Sequence, residues 1–374
     1  MELIDLSVRD FRNLSSQTFS FCEATNAILG ANGAGKTSLL EAMVVLGNLR
    51  SFRTTSLRRA VRHNEQSFRL VGTVSTKGRT HRLEQIVEMG PPITRTLKVD
   101  GGVVDVERYL HLFPVFAITG QDRELVVGSP EVRRSMLDRF VFLLRPTHID
   151  QLRAYRRLLR QRNAALVAHA SDGEIEAWEE PLAAAAAAVI EARESGAKVL
   201  AERFLEVSKE LSSEDRFEVS IEYRSEAWGK PSEGAKKVED LYRERYNETR
   251  TRDRQMGFTG DGPHRHDMSL KIGGRSVRYV LSSGQTKGVA AALRLATLAQ
   301  VEKERNERFP VIVDDVDAEL DGAALTLLVE RLGSERQLFL SSTSERVAEL
   351  AGPRGCCIRL ENGTRVPQEA ITDD

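Results

Sequence analysis

The chain has 374 residues, 41% hydrophobic and 29% charged, with a formal net charge of −1. Such a chain can bury one large core or two medium ones; no apolar run reaches the ~18 residues of a membrane span, and the balanced charge leaves nucleic-acid binding to local patches only. Three cysteines (Cys22, Cys356, Cys357) without C-x-x-C spacing exclude a disulfide framework and a common zinc pattern. Acidic Glu2 and Asp5 with no long apolar stretch behind them argue against a secretory signal, so a reducing cytoplasm is the expected compartment.

Residues 1–30 read as two strands around a turn: Leu3, Ile4 and Leu6 lead to Phe11-Arg12-Asn13, and Phe19 and Phe21 then alternate with polar residues. Asn26-Ala27-Ile28-Leu29 is a short buried strand. Gly30-Ala31-Asn32-Gly33-Ala34-Gly35-Lys36-Thr37 follows and fits G-x-x-x-x-G-K-[ST], the Walker A pattern. Leu39, Leu40, Met43, Val44 and Leu46 then recur at helical spacing up to about Gly47. Strand, glycine loop and helix together are the context this motif needs. Glycines let successive N–H groups turn inward on phosphate oxygens. The helix N-terminus adds its positive end at the same place. Lys36 supplies a point charge to the β- and γ-phosphates, and the Thr37 hydroxyl suits Mg²⁺. The expected nucleotide cradle is therefore Gly30 through Thr37 with Ser38, and the expected cofactors are ATP and Mg²⁺.

Leu49-Arg50-Ser51-Phe52-Arg53-Thr54, with Arg58, Arg59 and Arg62, is a basic segment that suits either phosphate contact or a solvated helix face. Leu70–Val74, Leu83–Val87 and Thr96–Val99 predict an antiparallel sheet, with Asp100-Gly101-Gly102 as a hairpin turn. Phe113–Ile118 predicts a further buried strand running into Thr119-Gly120-Gln121-Asp122. Residues 131–211 read as helical, broken at Arg145-Pro146. From 131 to 170 there are nine arginines against three acids. Arg153, Arg156, Arg157, Arg160 and Arg162 lie on one predicted helix. They suit a phosphate-tracking stripe, a solvated face, or a face buried against acids. Ala183–Ala188 is an alanine run inside a long helix. Residues 217–224 return to strand, 226–236 to loop, and 237–256 to a charged helix.

Phe309-Pro310-Val311-Ile312-Val313-Asp314-Asp315 is an apolar strand ending in two carboxylates, the Walker B form. Asp314 is placed to hold Mg²⁺ through its water shell. Asp315 is placed to orient or deprotonate the attacking water.

Leu281-Ser282-Ser283-Gly284-Gln285, ahead of an apolar helix, resembles the ABC-type signature L-S-G-G-Q. Glu319-Leu320-Asp321 resembles a D-loop. Thr343, in Ser341-Ser342-Thr343, stands where an ABC switch residue would, and Gln121 where the Q-loop would. More narrowly, the chain resembles the RecF family, bacterial recombination-repair ATPases related to SMC-type heads. The resemblance runs nearly end to end. It is carried by Phe11-Arg12-Asn13, the Walker A, Ser51-Phe52-Arg53-Thr54, Gly128-Ser129-Pro130 with Arg133-Arg134 and Leu137-Asp138, Gly262-Pro263-His264-Arg265, the signature, and Asp314-Asp315 through Leu320-Asp321. Departures are Gly120-Gln121-Asp122 for Pro-Glu-Asp, His266-Asp267 for two acids, Ser283 for a basic or amide residue, and Ala318 for serine.

The resemblance implies an α/β fold: a P-loop ABC-type ATPase head, with a mixed central sheet, an antiparallel β subdomain and an inserted, mainly helical lobe. The expected division is 1–130 for the N-terminal half of the head, 131–256 for the lobe, and 257–374 for the C-terminal half. It implies an ATP-dependent homodimer in which Ser282, Gly284, Gln285 and Asp321 of one copy meet the nucleotide of the other. It further implies clamping of duplex or gapped DNA, recombination-mediator partners of the RecO/RecR type, and a nucleoid-associated location. Catalysis would rest on Lys36, Asp314, Asp315, Gln121 and Thr343, with Thr37, Asp314 and Gln121 around the metal. Arg153, Arg156, Arg157 and Arg160 are the expected DNA contacts. Turnover is expected to be slow, since Asp315 is one methylene shorter than a glutamate base. The alternative is a RecF-like paralogue whose ATPase gates a protein effector, as in a defence system. A transporter ATPase fits less well because of the arginine-bearing insert and the absence of transporter-like spacing, and a plain P-loop kinase because the signature has no use there.

Overall fold

The computed structural model describes residues 1–211, 218–224, 237–319, 322–333 and 335–367. Its contacts divide the chain into two compact units, Met1–Asp122 with Arg305–Asp374, and Arg123–Glu304.

The first unit holds two six-stranded sheets. One is antiparallel, in the order Gln17–Ser20, Glu2–Arg9, Ser67–Thr76, Arg79–Glu88, Thr94–Val99, Gly102–Val103. Its hairpins follow their turn chemistry: Asp100 and Gly101 both take the left-handed conformation (φ 51° and 86°) that a tight two-residue turn requires. Alternation, reset by a bulge between Leu3 and Asp5, sends Leu3, Leu6 and Val8 inward together with Phe68, Leu70 and Val74.

The other sheet is mixed and lies around a parallel core. Its order is Thr364–Val366, Cys356–Glu361, Thr25–Leu29, Leu338–Ser342, Val311–Val313, Phe116–Ile118. Only the Thr364–Val366 hairpin strand is antiparallel. Thr25–Leu29 and Leu338–Ser342 are buried at every position, as strands covered on both faces must be. The Phe113–Ile118 run is strand only over Phe116–Ile118, although Phe113 and Val115 are buried as expected. Pro114 has no N–H to give a ladder.

Parallel pairing sets the Walker strands side by side. Leu340 is in register with both Val313 and Ala27, so the P-loop and the two Walker B carboxylates leave the sheet at the same carboxyl edge. Val313 also faces Ile118, which brings the turn carrying Gln121 to that edge. Ligands of open α/β sheets bind there.

The second unit is mainly helical: Pro130–Leu144, His148–Val167, Asp172–Leu211, Val238–Met256 and Ser283–Arg305, with a three-stranded antiparallel sheet of Arg275–Ser276, Asp267–Ile272 and Val219–Arg224. The first helix stops at Leu144, ahead of Arg145-Pro146. The alanine run sits in the 40-residue helix, about 60 Å long at 1.5 Å per residue. Leu182, Ala183, Ala186, Val189 and Ile190 pack there against Leu152, Tyr155, Tyr242 and Tyr246.

Candidate active site

Residues 30–37 form the cradle. Gly30, Gly33 and Gly35 take φ of 154°, 83° and 109°, and a Cβ on Gly30 would lie 2.4 Å from the Leu360 carbonyl oxygen. Only glycine fits there. The helix Lys36–Asn48 starts directly from Gly35, so its free N–H groups face the loop. Lys36 Nζ donates to the Gly30 and Ala31 carbonyls at 2.6 and 3.1 Å and so points back over the loop.

Thr37 Oγ1 donates to Asp314 Oδ1 at 3.0 Å, and Ser341 Oγ donates to the same oxygen at 2.7 Å. Ser341 Oγ in turn accepts the Asp315 N–H at 2.7 Å. Asp314 is 9% exposed, and burial pushes its carboxyl pKa up against the hydrogen bonds from Ser341 and Thr37. Asp315 takes φ 55°, a left-handed turn that ends the strand and leaves its side chain exposed on the cleft. Hydroxyl and carboxylate oxygens, few in number and at a helix N-terminus, suit a magnesium ion that takes its remaining ligands from phosphate and water.

Around this lies a cleft of about 700 Å³ whose walls include Arg12, Asn13, Arg53, Arg62 and His63. Its organiser is Glu41, fully buried on the P-loop helix. Arg12 donates Nε and Nη2 to Glu41 at 2.9 and 2.7 Å, Ser51 Oγ donates at 2.5 Å, and Arg53 lies at 3.4 Å. Asn13 Nδ2 donates to the Gly33 carbonyl at 3.0 Å, while its Oδ1 accepts Ser38 Oγ at 2.7 Å. The Phe11-Arg12-Asn13 and Ser51-Phe52-Arg53-Thr54 motifs are thus two clamps on one helix. Glu41, Ser341 and His63 were not among the residues expected at the site. A glutamate inside the apolar run Leu39–Val45 was the available sign for the first.

Of the other expected site residues, Gln121 is exposed in the turn Gly120–Asp122. Thr343 is exposed, and its N–H donates to Asp317 Oδ2 at 3.1 Å; Ser341, two residues earlier, is the one that touches Asp314. Leu320 and Asp321 lie outside the described residues.

In the second unit the signature segment is a reciprocal capping box. Gln285 Oε1 accepts the Ser282 N–H at 2.9 Å, and Ser282 Oγ accepts the Gln285 N–H at 3.3 Å. Ser282, Ser283 and Gly284 are exposed at the start of the helix Ser283–Arg305. Gly262-Pro263-His264-Arg265 is a structural turn. His264 Nδ1 bonds Tyr155 Oη at 2.6 Å, Arg193 Nη1 donates to the Pro263 carbonyl at 2.6 Å, and Arg265 stacks on Phe258.

Arg153, Arg156, Arg157 and Arg160 are exposed on the helix His148–Val167, and among the described residues only Arg153 of the four is paired, to Asp150 at 3.0 Å. Arg162 does not belong to this stripe. It is fully buried, bonded to Asp253 at 2.8 Å and Glu179 at 3.0 Å. At about 100° per residue, the four exposed arginines fall within ~100° of each other and Arg162 about 180° from Arg153.

A P-loop with Thr37 on the Walker B aspartate, together with an exposed signature helix, defines an ABC-type ATPase head. Residues 2–364 match the family described as the RecF/RecN/SMC N terminal domain. The chain is 32% identical over 366 residues to "DNA replication and repair protein RecF" of Pectobacterium atrosepticum, covering 97% of this chain and 98% of that one. The chain belongs to the RecF family. Its structure superposes on a solved "recombination mediator protein RecF-ATP in RecFOR pathway" with a TM-score of 0.86, 26% identity and 98% coverage of both chains. It matches the corresponding RecF-ATPrS structure with a TM-score of 0.84, 28% identity and 97% coverage of both. It is therefore an ATP-binding P-loop ATPase of RecF type. Among the described residues no helix is long and apolar enough to cross a membrane.

Proposed function

We propose that this chain is an ATP-gated DNA clamp of recombinational repair and replication-fork maintenance. The observation that carries it is the exposed, pre-formed signature cap of Ser282 to Gln285, paired in one chain with a complete Walker site. Signature serines and helix N–H groups have phosphate as their natural ligand, and in an ABC pair they meet the nucleotide of a second copy.

Gly30–Ser38 would cradle the phosphates, with Lys36 leaving its loop carbonyls for the β- and γ-oxygens. Thr37 and Asp314, with Gln121 beside them, would hold Mg²⁺, which supplies charge neutralisation at the phosphates. Asp315 would position the attacking water, with Thr343 near the γ-phosphate. Ser282, Gly284, Gln285 and Asp321 of the second copy would close over it. Closure then depends on the γ-phosphate, and hydrolysis releases it, a population shift set by differential affinity. Arg153, Arg156, Arg157 and Arg160 would follow the phosphates of duplex or gapped DNA. The names of the solved relatives favour mediator partners of the RecO/RecR type, and a nucleoid-associated location follows from DNA binding.

Fluorescence anisotropy with gapped duplex across a salt series tests the DNA arm. Wild type should bind more tightly with ATP than with ADP, and Lys36→Met should lose that difference. Replacing the four arginines by glutamine should weaken binding and flatten the log–log salt slope by up to about 0.9 per lost phosphate contact. Unchanged affinity and slope would reduce the stripe to a solvated face. ATP-dependent dimers that ignore DNA would favour the protein-effector paralogue.

A further inference from the structure

The segment entering the signature helix carries more than a phosphate-binding end. Val277 is 1% exposed and pins a single turn, Val277–Tyr279; the N–H groups of Val280 and Leu281 both donate to its carbonyl at 3.1 Å. With the backbone fixed from inside, the next side chains turn outward. Arg278 is exposed, Tyr279 is 77% exposed and Val280 42%. Tyr279 is the most exposed large hydrophobic side chain among the described residues, and within them it makes no hydrogen bond or ring contact. Arg278 has no ion pair there either. Arg133, which lines one groove with Arg278 and Tyr279, is committed to Asp267 through two bonds at 2.8 and 2.7 Å.

We propose that Tyr279 and Arg278 are interface residues that pack on the nucleotide-bearing face of a second copy of this chain. The assignment deepens the dimer proposed above and depends on it. Tyr279 precedes Ser282 by three residues, so its Cα lies within about 11 Å of the serine whatever the chain path. Any surface that receives the signature cap must come that close to the tyrosine. A rigid ring on a fixed backbone loses little entropy when covered, and tyrosine and arginine are, with tryptophan, the residues enriched among those that dominate interfaces. The free guanidinium also brings positive charge to the face that meets a polyphosphate.

The test uses the full chain in sedimentation velocity over a concentration series with ATP and Mg²⁺. Tyr279→Ala should weaken dimerisation about tenfold or more, Tyr279→Phe should stay near wild type, and Arg278→Gln should fall between. Binding of a fluorescent ATP analogue to the monomer should not change in any of them. If wild type dimerises on ATP, Ser282→Arg does not, and Tyr279→Ala matches wild type, the inference is wrong and the dimer stands. Tyr279→Ala that dimerises normally but loses DNA affinity would also overturn it, making the ring a base-stacking group. A wild type that never dimerises on ATP would remove the dimer itself, and this inference with it.

Discussion

Arg162 offers the sharpest separation of structural from functional charge. Its guanidinium is fully buried and donates to Asp253 at 2.8 Å, Glu179 at 3.0 Å, Thr259 Oγ1 at 2.8 Å and the Tyr246 carbonyl at 3.3 Å, while lying over the Tyr246 ring. Arg162→Met keeps an apolar stem and removes the cation. Breaking a buried pair from one side costs about 3–5 kcal/mol, because the remaining charge is stranded. Glu179 keeps Arg250 at 2.6 Å, and Asp253 keeps Arg252 at 3.3 Å and the Gly260 N–H at 3.2 Å, so the lower end of that range applies. For a unit of this size, ~3 kcal/mol is about 6–12 °C in Tm. Thermal unfolding by circular dichroism at fixed protein concentration measures it. Arg157→Gln, on the opposite face, should move Tm very little and weaken DNA binding instead. A Tm shift under about 2 °C for Arg162→Met would mean that the buried cluster adds little to the fold.

Glu41→Gln should destabilise the first unit by about 2–3 kcal/mol, since it leaves the Arg12 guanidinium without its counter-charge and turns an NH2 group onto one of the donors that Glu41 accepts from; it should also raise the Kd for a fluorescent ATP analogue. Unchanged stability and affinity together would contradict the clamp. Asp314→Asn should slow ATP hydrolysis by about a hundredfold or more while Mg²⁺-free nucleotide binding persists, as equilibrium binding with and without EDTA would show. Burial, then the charges of Arg193, His264 and Arg134, push His266 down to about 3, with Asp261 opposing; its ring bonds Tyr223 and Tyr242. A histidine held neutral in the fold but free to protonate near pH 6.5 when unfolded gives full stability above that value. Stability is then lost progressively as pH falls towards 3. Asp138, which burial pushes up but His148 and Arg193 hold at about 2, adds its own loss only below the ordinary carboxylate range. Denaturant midpoints should therefore fall between pH 6.5 and 4, and His266→Gln should flatten that slope.

The site was legible where chemistry is local. Gly30–Thr37 needs its glycines within eight residues, and Val311–Asp315 shows both strand and carboxylates in one run. The Asp100-Gly101 turn and the Arg145-Pro146 break were equally local. What stayed hidden depends on distant partners. Glu41 is acidic in an apolar stripe, but Arg12 lies 29 residues before it and Ser51 ten after. Ser341 joins Asp314 only because parallel strands put Leu340 beside Val313. The helical phase of Arg162 sets it with Leu152, Tyr155 and Leu166, apart from the four expected DNA contacts, but its acidic partners Glu179 and Asp253 lie too far along the chain to be read from it.

The proposed clamp requires ATP to close two copies of this chain through their signature caps. Sedimentation velocity of the purified protein with no nucleotide, with ADP and with ATP tests it most directly, with Lys36→Met and Ser282→Arg alongside. A dimer should form with ATP alone and be absent in both variants. A monomer under every condition, or a dimer indifferent to nucleotide and to both substitutions, would contradict it.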